Sequence, residues 1–136
     1  MNKAIIVVIL SLLCCVSKAI EIDRETFNSL TYANGLAGET VRNMDVDHHG
    51  QIWMATGAGL TVFNGVRAHS YRFYCEKLKG NAKVYDVCEG LGNSIFVGTS
   101  EGVYEMKYGS DSFVNVLPNL ANSENLFADG HLLYIG

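Results

Sequence analysis

The sequence predicts an all-β chain built of four-stranded antiparallel meanders, the blades of a β-propeller, and three observations carry that expectation. Short apolar runs alternate with glycine-centred turns. No stretch sustains a 3.6-residue period with capping signals at both ends. One meander recurs 43 places further along the chain.

Taken in order, Val41-x-x-Met44-x-Val46 reads as a first strand ending in the turn Asp47-His48-His49-Gly50. Ile52 to Thr56 is apolar at nearly every position, as a strand covered on both faces should be. Gly57-Ala58-Gly59 turns the chain into Leu60-Thr61-Val62-Phe63, and Asn64-Gly65 is a two-residue hairpin signal leading to a strand over Ala68 to Tyr74.

The second copy places Val84 on Val41, Val87 on Met44, Phe96 on Trp53, Gly98 on Ala55, Thr99 on Thr56 and Gly102 on Gly59. A third and shorter copy begins at Asp129-Gly130-His131, followed by Leu132-Leu133-Tyr134-Ile135-Gly136. Four strands every 40 or so residues are the signature of propeller blades packed face to face.

The recurring residues have physical reasons to recur. Trp53 and Phe96 fill the gap between sheets, while Ala55 and Gly98 let the adjacent sheet approach. The hydroxyls of Thr56 and Thr99 satisfy a backbone group at the turn. Gly59 and Gly102 sit where a positive φ is needed. The expected organisation is a lead-in over residues 20–40, blades over 41–83 and 84–122, and the start of a third over 123–136. A ring closes with about four blades or more, so an incomplete ring is expected, with exposed sheet faces and poor solubility of the isolated segment.

Ahead of the blades, Lys3 and the apolar run Ala4 to Val16 precede Ser17-Lys18-Ala19, the layout of a secretory leader cleaved after Ala19. Residues 1–19 are therefore read as an export signal. Losing Lys3 and Lys18 moves the formal charge from −4 to −6. An acidic chain without a basic face excludes nucleic-acid partners for this segment. Arg72, Lys77, Lys79 and Lys83 are diluted by Glu76 and read as a solvated loop.

The leader also carries Cys14 and Cys15 away, leaving Cys75 and Cys88. In an oxidising compartment these either bridge or lie as two buried free thiols, and their spacing does not decide between the two.

No catalytic, metal or cofactor motif stands out. His48 and His49 are neighbours on a turn without a regularly spaced third ligand, and a solvent-exposed turn accounts for them. His69 and His131 are isolated. Asp45 and Asp47 invite comparison with the carboxylate pair of a glycosidase, but Asp47 is the turn-former and Asp45 becomes Cys88 in the second copy. Gly57-Ala58-Gly59 links two strands and opens no helix, so it cradles no phosphate. Tyr71, Phe73 and Tyr74 are expected to pack between outer strands, with a sugar-stacking platform as the alternative.

The segment from Asp47 to Gly65 resembles the two-component regulator propeller repeat, Asp-x-x-Gly-x-Ile-Trp-(Ile or Met)-(Gly or Ala)-Thr-x-x-Gly-Leu followed by an aromatic and a turn. Asp47, Gly50, Trp53, Thr56 and Gly59 carry the match. Tyr32-Ala33-Asn34-Gly35-Leu36 with Val41 resembles the connector before such repeats. The likeness covers residues 26–107 and 123–136. It is partial in the second copy, where Gly90-Leu91-Gly92-Asn93 and Phe96 depart from the pattern.

The resemblance implies the N-terminal part of a periplasmic sensor from a hybrid two-component regulator of the kind common in Bacteroidetes. Such a sensor self-associates, responds to glycan breakdown products through its propellers, and is followed by a membrane helix and a histidine kinase. It also implies that Thr26 to Ala33 completes the last blade of the ring. Two other expectations stand beside it: an exported propeller enzyme acting on polysaccharides, and a secreted interaction scaffold. The segment itself is expected to be non-catalytic, without cofactor, and to meet an oligosaccharide or other small ligand through later blades.

Overall fold

In the computed structural model, which describes residues 29–136, Val41–Val46 (β1), Ile52–Thr56 (β2), Gly59–Phe63 (β3) and Ala68–Tyr71 (β4) form a first antiparallel sheet in that order. Tyr74–Cys75 (β5) and Gly80–Asn81 (β6) make a small ribbon. Val84–Glu89 (β7), Ile95–Thr99 (β8), Gly102–Met106 (β9) and Val114–Leu117 (β10) then repeat the meander as a second four-stranded sheet. Leu126–Ala128 (β11) and Leu133–Ile135 (β12) pair as a third. The chain is thus all-β, built of blade-like antiparallel meanders, and the described residues form no closed ring.

The register shows why the repeat packs. On β1 and β2, Asp45 pairs with Trp53 and Asn43 with Ala55; on β7 and β8, Cys88 pairs with Phe96 and Asp86 with Gly98. Strand alternation puts Trp53, Ala55, Leu60 and Val62 on one face of the first sheet, and that face meets Val87, Ile95 and Val97 of the second in one buried cluster. Phe96, Cys88 and Val103 on the equivalent face of the second sheet meet Leu126 in another, with Ala128, Leu133 and Ile135 packed against it. The two interfaces are the same interface, displaced by one repeat.

The turn chemistry also repeats. Thr56 Oγ1 donates to the Gly59 carbonyl at 2.7 Å and Thr99 Oγ1 to the Gly102 carbonyl at 2.8 Å. Gly59 and Gly102 have φ of 154° and 123°, and a Cβ there would lie 2.5 Å from the Tyr71 carbonyl oxygen and 2.4 Å from that of Leu117. The close approach of the outer strand, as well as the dihedral, therefore demands glycine.

At Gly98 a Cβ would lie 2.2 Å from the Ser123 carbonyl oxygen, in the connector to the third sheet. Gly98→Ala is expected to destabilise the chain by about 1–3 kcal/mol because the backbone itself must shift. Urea unfolding monitored by circular dichroism measures it, and an unchanged midpoint would contradict this packing.

Two expected strands differ. The strand expected over Ala68 to Tyr74 ends at Tyr71, because Phe73 leaves the sheet edge to be buried between the sheets against Tyr104 and Phe113. Tyr71 lies beside Trp53 and Phe113, whereas Tyr74 is exposed. Two of the three aromatics thus pack and one faces solvent.

Where a ring-closing strand was expected over Thr26 to Ala33, Tyr32–Asn34 is a single 3-10 turn ending at Gly35. Ala37 N–H then donates to Thr61 Oγ1 at 2.9 Å, and Leu36 and Ala37 are buried on the first sheet. Residues 26–28 of that strand and the leader over 1–19 lie outside the described residues. Among the described residues no helix is long and apolar enough to cross a membrane.

Candidate functional site

The turn after β1 is fixed by Asp47. Its Oδ1 accepts the N–H groups of His49 and Gln51, both at 2.9 Å, and its Oδ2 accepts the indole N–H of Trp53 at 2.9 Å. The Gly50 N–H donates to the Asp47 carbonyl at 2.8 Å. One buried carboxylate therefore ties the turn to the aromatic that fills the sheet–sheet gap, which is why the motif needs both residues six places apart.

So held, His48 and His49 meet the second sheet. The His48 N–H donates to Glu89 Oε2 at 2.9 Å, and its ring Nδ1 pairs with Glu89 Oε1. With the carboxylate of Glu89 as acceptor, Nδ1 is the donor of this pair. The two imidazoles lie 3.8 Å apart, and Tyr108, from the β9–β10 loop, stacks on His49 at 5.9 Å with 17° between planes. These rings border an open cleft of 310 Å³ between the sheets, lined as well by Gln51, Asn93, Lys107 and Ser110.

A second cavity of 370 Å³ runs along β1, β7 and β11, which lie side by side. The polar groups along and behind it are engaged in hydrogen bonds. Asp86 is buried and accepts from Val87 N–H at 2.7 Å, Leu126 N–H at 2.6 Å and Asn43 Nδ2, joining strands of all three sheets. Asp45 Oδ2 accepts the Glu89 N–H at 2.8 Å, and its Oδ1 accepts the Val46 N–H at 2.9 Å. Asp45 and Asp47 thus each accept backbone N–H groups, Asp45 from β1 and β7 and Asp47 within the turn after β1.

Comparison with known proteins finds no matching family model and no similar curated protein. The site is accordingly read from its own geometry.

Cys75 and Cys88 are both buried and both free thiols. They belong to different clusters, Cys75 to the first interface and Cys88 to the second. The two-thiol alternative is the one seen, and Cys75 Sγ donates instead to Glu101 Oε1 at 3.0 Å. Burial first, then the carboxylates of Asp86 and Asp45, pushes the Cys88 thiol up to about 12 from its ordinary value of 9.0.

The thiolate is the reactive form, so native Cys88 should resist iodoacetamide at pH 8 and react once urea unfolds the chain. Mass spectrometry reads this, and rapid labelling of the native protein would contradict the burial. Because the folded value is the raised one, its contribution to stability is complete below pH 9 and is lost as pH climbs through about 12.

The structure brings Asp47, Gly50, Trp53 and His48 together with Glu89 and Tyr108, two residues that the sequence did not single out. It does not unite His69 or His131 with them in any metal cluster: among the described residues no group of three or more His, Cys, Asp or Glu could hold an ion. The signal for Glu89 was present in the repeat, since it replaces apolar Val46 in the second copy. A charge appearing at an inter-sheet position calls for a partner across the gap.

Proposed function

We propose that this chain forms the N-terminal blades of a ligand-sensing β-propeller in an exported, periplasmic two-component regulator, non-catalytic in itself and responsive to glycan-derived oligosaccharides. The observation that carries the reading is the cleft between the first two sheets. It has an exposed aromatic face, Tyr108 against His49, beside amide and hydroxyl groups, while the carboxylates that line it, Asp47 and Glu89, are engaged in hydrogen bonds.

Such a surface can hold a sugar ring by its apolar face and its hydroxyls, and it has no spare acid–base pair with which to cleave a glycosidic bond. The motif over Asp47 to Gly65, with its resemblance to sensor propellers, supports the same reading. A ligand in the cleft would link the Asp47–Gly50 turn of one sheet to the Lys107–Ser110 loop of the next. If it bound one inter-sheet arrangement better than another, it would shift the balance between them and transmit its presence.

Calorimetric titration with a panel of neutral and acidic oligosaccharides tests this. Tyr108→Ala should weaken binding about tenfold, the worth of one lost stacking contact, with little change in melting temperature because the ring is exposed. Unchanged affinity in that variant would remove the cleft from consideration. Release of shortened sugars during the titration would favour an exported enzyme instead.

A further inference from the structure

The cleft between the first two sheets has both of its walls within the described residues: the turn after β1 on one side, the β7–β8 turn and the β9–β10 loop on the other. Three side chains of fixed charge line it, and they are matched differently. Asp47 is 8% exposed, and its two oxygens are taken by the turn and by the Trp53 indole. Glu89 has one oxygen on the His48 N–H and the other on the His48 ring. Lys107 is exposed, and among the described residues the contact between His48 and Glu89 is the one ion pair. Its ammonium is therefore the charge at the cleft that no carboxylate answers.

The loop holds that charge beside the aromatic surface. The Ser110 N–H donates to the Lys107 carbonyl at 2.9 Å, closing a tight turn over Tyr108 and Gly109, whose φ is 78°. Lys107 and Tyr108 are thus set side by side at the same cleft, with Tyr108 62% exposed and stacked on His49. Gln51 and Asn93 add amides, which both donate and accept, whereas the ammonium only donates. A neutral sugar ring would stack on the aromatic, bond to the amides and leave the ammonium to water. A ring with an acidic substituent keeps the stacking and brings an acceptor of opposite charge, and charge-assisted hydrogen bonds are about twice as strong as neutral ones.

We infer that the oligosaccharides selected by this cleft carry an acidic group, a uronate carboxylate or a sulfate ester, and that Lys107 is the residue that reads it. The inference rests on the sensing proposal above and narrows its ligand. The sugar ring lies on Tyr108, and its anionic group reaches Lys107, one residue back in the loop. Lysine is a compact point charge rather than a planar fork, so it accepts a carboxylate or a sulfate. Because the contact is exposed, the expected preference for the charged ligand is only about fivefold.

Calorimetric titration of the full chain tests this with two matched pairs: trigalacturonate against its methyl ester, and galactotriose sulfated at its primary hydroxyls against the unsulfated sugar. At least one charged member should bind about fivefold more tightly than its neutral counterpart. Lys107→Gln should bring that ratio to about one, and Lys107→Arg, which keeps the charge, should retain it. Lys77→Gln, at an exposed lysine outside the cleft, should leave the ratio as it is. A preference in the first pair alone assigns the carboxylate, and one in the second pair alone the sulfate.

Neutral members bound as tightly as both charged ones overturn the inference, as does binding confined to neutral oligosaccharides; the sensing proposal stands in either case. A preference that survives Lys107→Gln in a chain with natural circular dichroism also overturns it, since the acid would then be read elsewhere. Absence of binding by every saccharide, neutral or acidic, removes the sensing proposal and this inference together.

Discussion

Trp53→Ala should lower the stability of the chain by about 3–5 kcal/mol, the range for removing a large buried aromatic from a packed core. The side chain is 3% exposed and sits between the first two sheets against residues of both. Its removal also leaves Asp47 Oδ2 without the indole donor that satisfies it, and a buried charged acceptor without a partner adds to the cost.

The second copy indicates how that penalty is avoided naturally. There the aromatic is Phe96, which has no N–H to offer, and the residue at the Asp47 position is Gly90. A Cβ at Gly90 would lie 2.9 Å from the Phe96 ring. Aspartate with tryptophan and glycine with phenylalanine are two self-consistent solutions at one place in the repeat. Trp53→Phe alone should therefore remain clearly destabilised, since it keeps the ring but strands the carboxylate. Full recovery by that single change in urea unfolding would contradict the coupling.

Asp86→Ala is expected to cost about 3 kcal/mol or more, because several donors lose a charged acceptor at once and hydrogen bonds of that kind contribute about 1.5–3 kcal/mol. Asp86 is 4% exposed, and its partners come from β1, β7 and the start of β11. The loss should be cooperative across the sheets rather than local. Hydrogen exchange is the discriminating measurement: protection should fall at Leu126 and along β1 together. Loss confined to residues 86 and 87 would mean that the carboxylate only tidies its own bulge. Asp86→Asn keeps the shape but turns one acceptor into a donor facing other donors, so it should recover only part of the stability.

Much of the architecture was written in periodicity. The 43-place repeat set the strand order, and the pairing of bulky Trp53 or Phe96 with small Ala55 or Gly98 identified the faces that meet. These features are local, and each copy states them again. Glycines 59 and 102 were legible for the same reason, though their spacing pointed only to the dihedral and not to the close outer strand.

The polar links between sheets were harder to see. The Asp86 to Leu126 bond, the Asp45 to Glu89 bond and the His48 to Glu89 pair join residues about one repeat apart. Which side chains meet there depends on how two stacked sheets are offset, and no pattern along one strand contains that offset. Phe73 shows the same limit: alternation continued its strand, but the strand ends at Tyr71 and Phe73 is buried between the two sheets. His48 and His49 were correctly placed on an exposed turn, yet the partners that make the turn a cleft wall, Glu89 and Tyr108, come from another blade.

The central claim is that successive copies of the repeat stack face to face with the aromatic of the second strand sealed between them. Trp53 is the only tryptophan in the chain, so its fluorescence reports on that gap directly. The account predicts emission blue-shifted relative to the unfolded chain, little quenching by iodide, and loss of both properties in urea in the same transition that abolishes the β signal in circular dichroism. Emission at the position of free tryptophan, readily quenched by iodide in a chain whose circular dichroism still shows folded β structure, would contradict it.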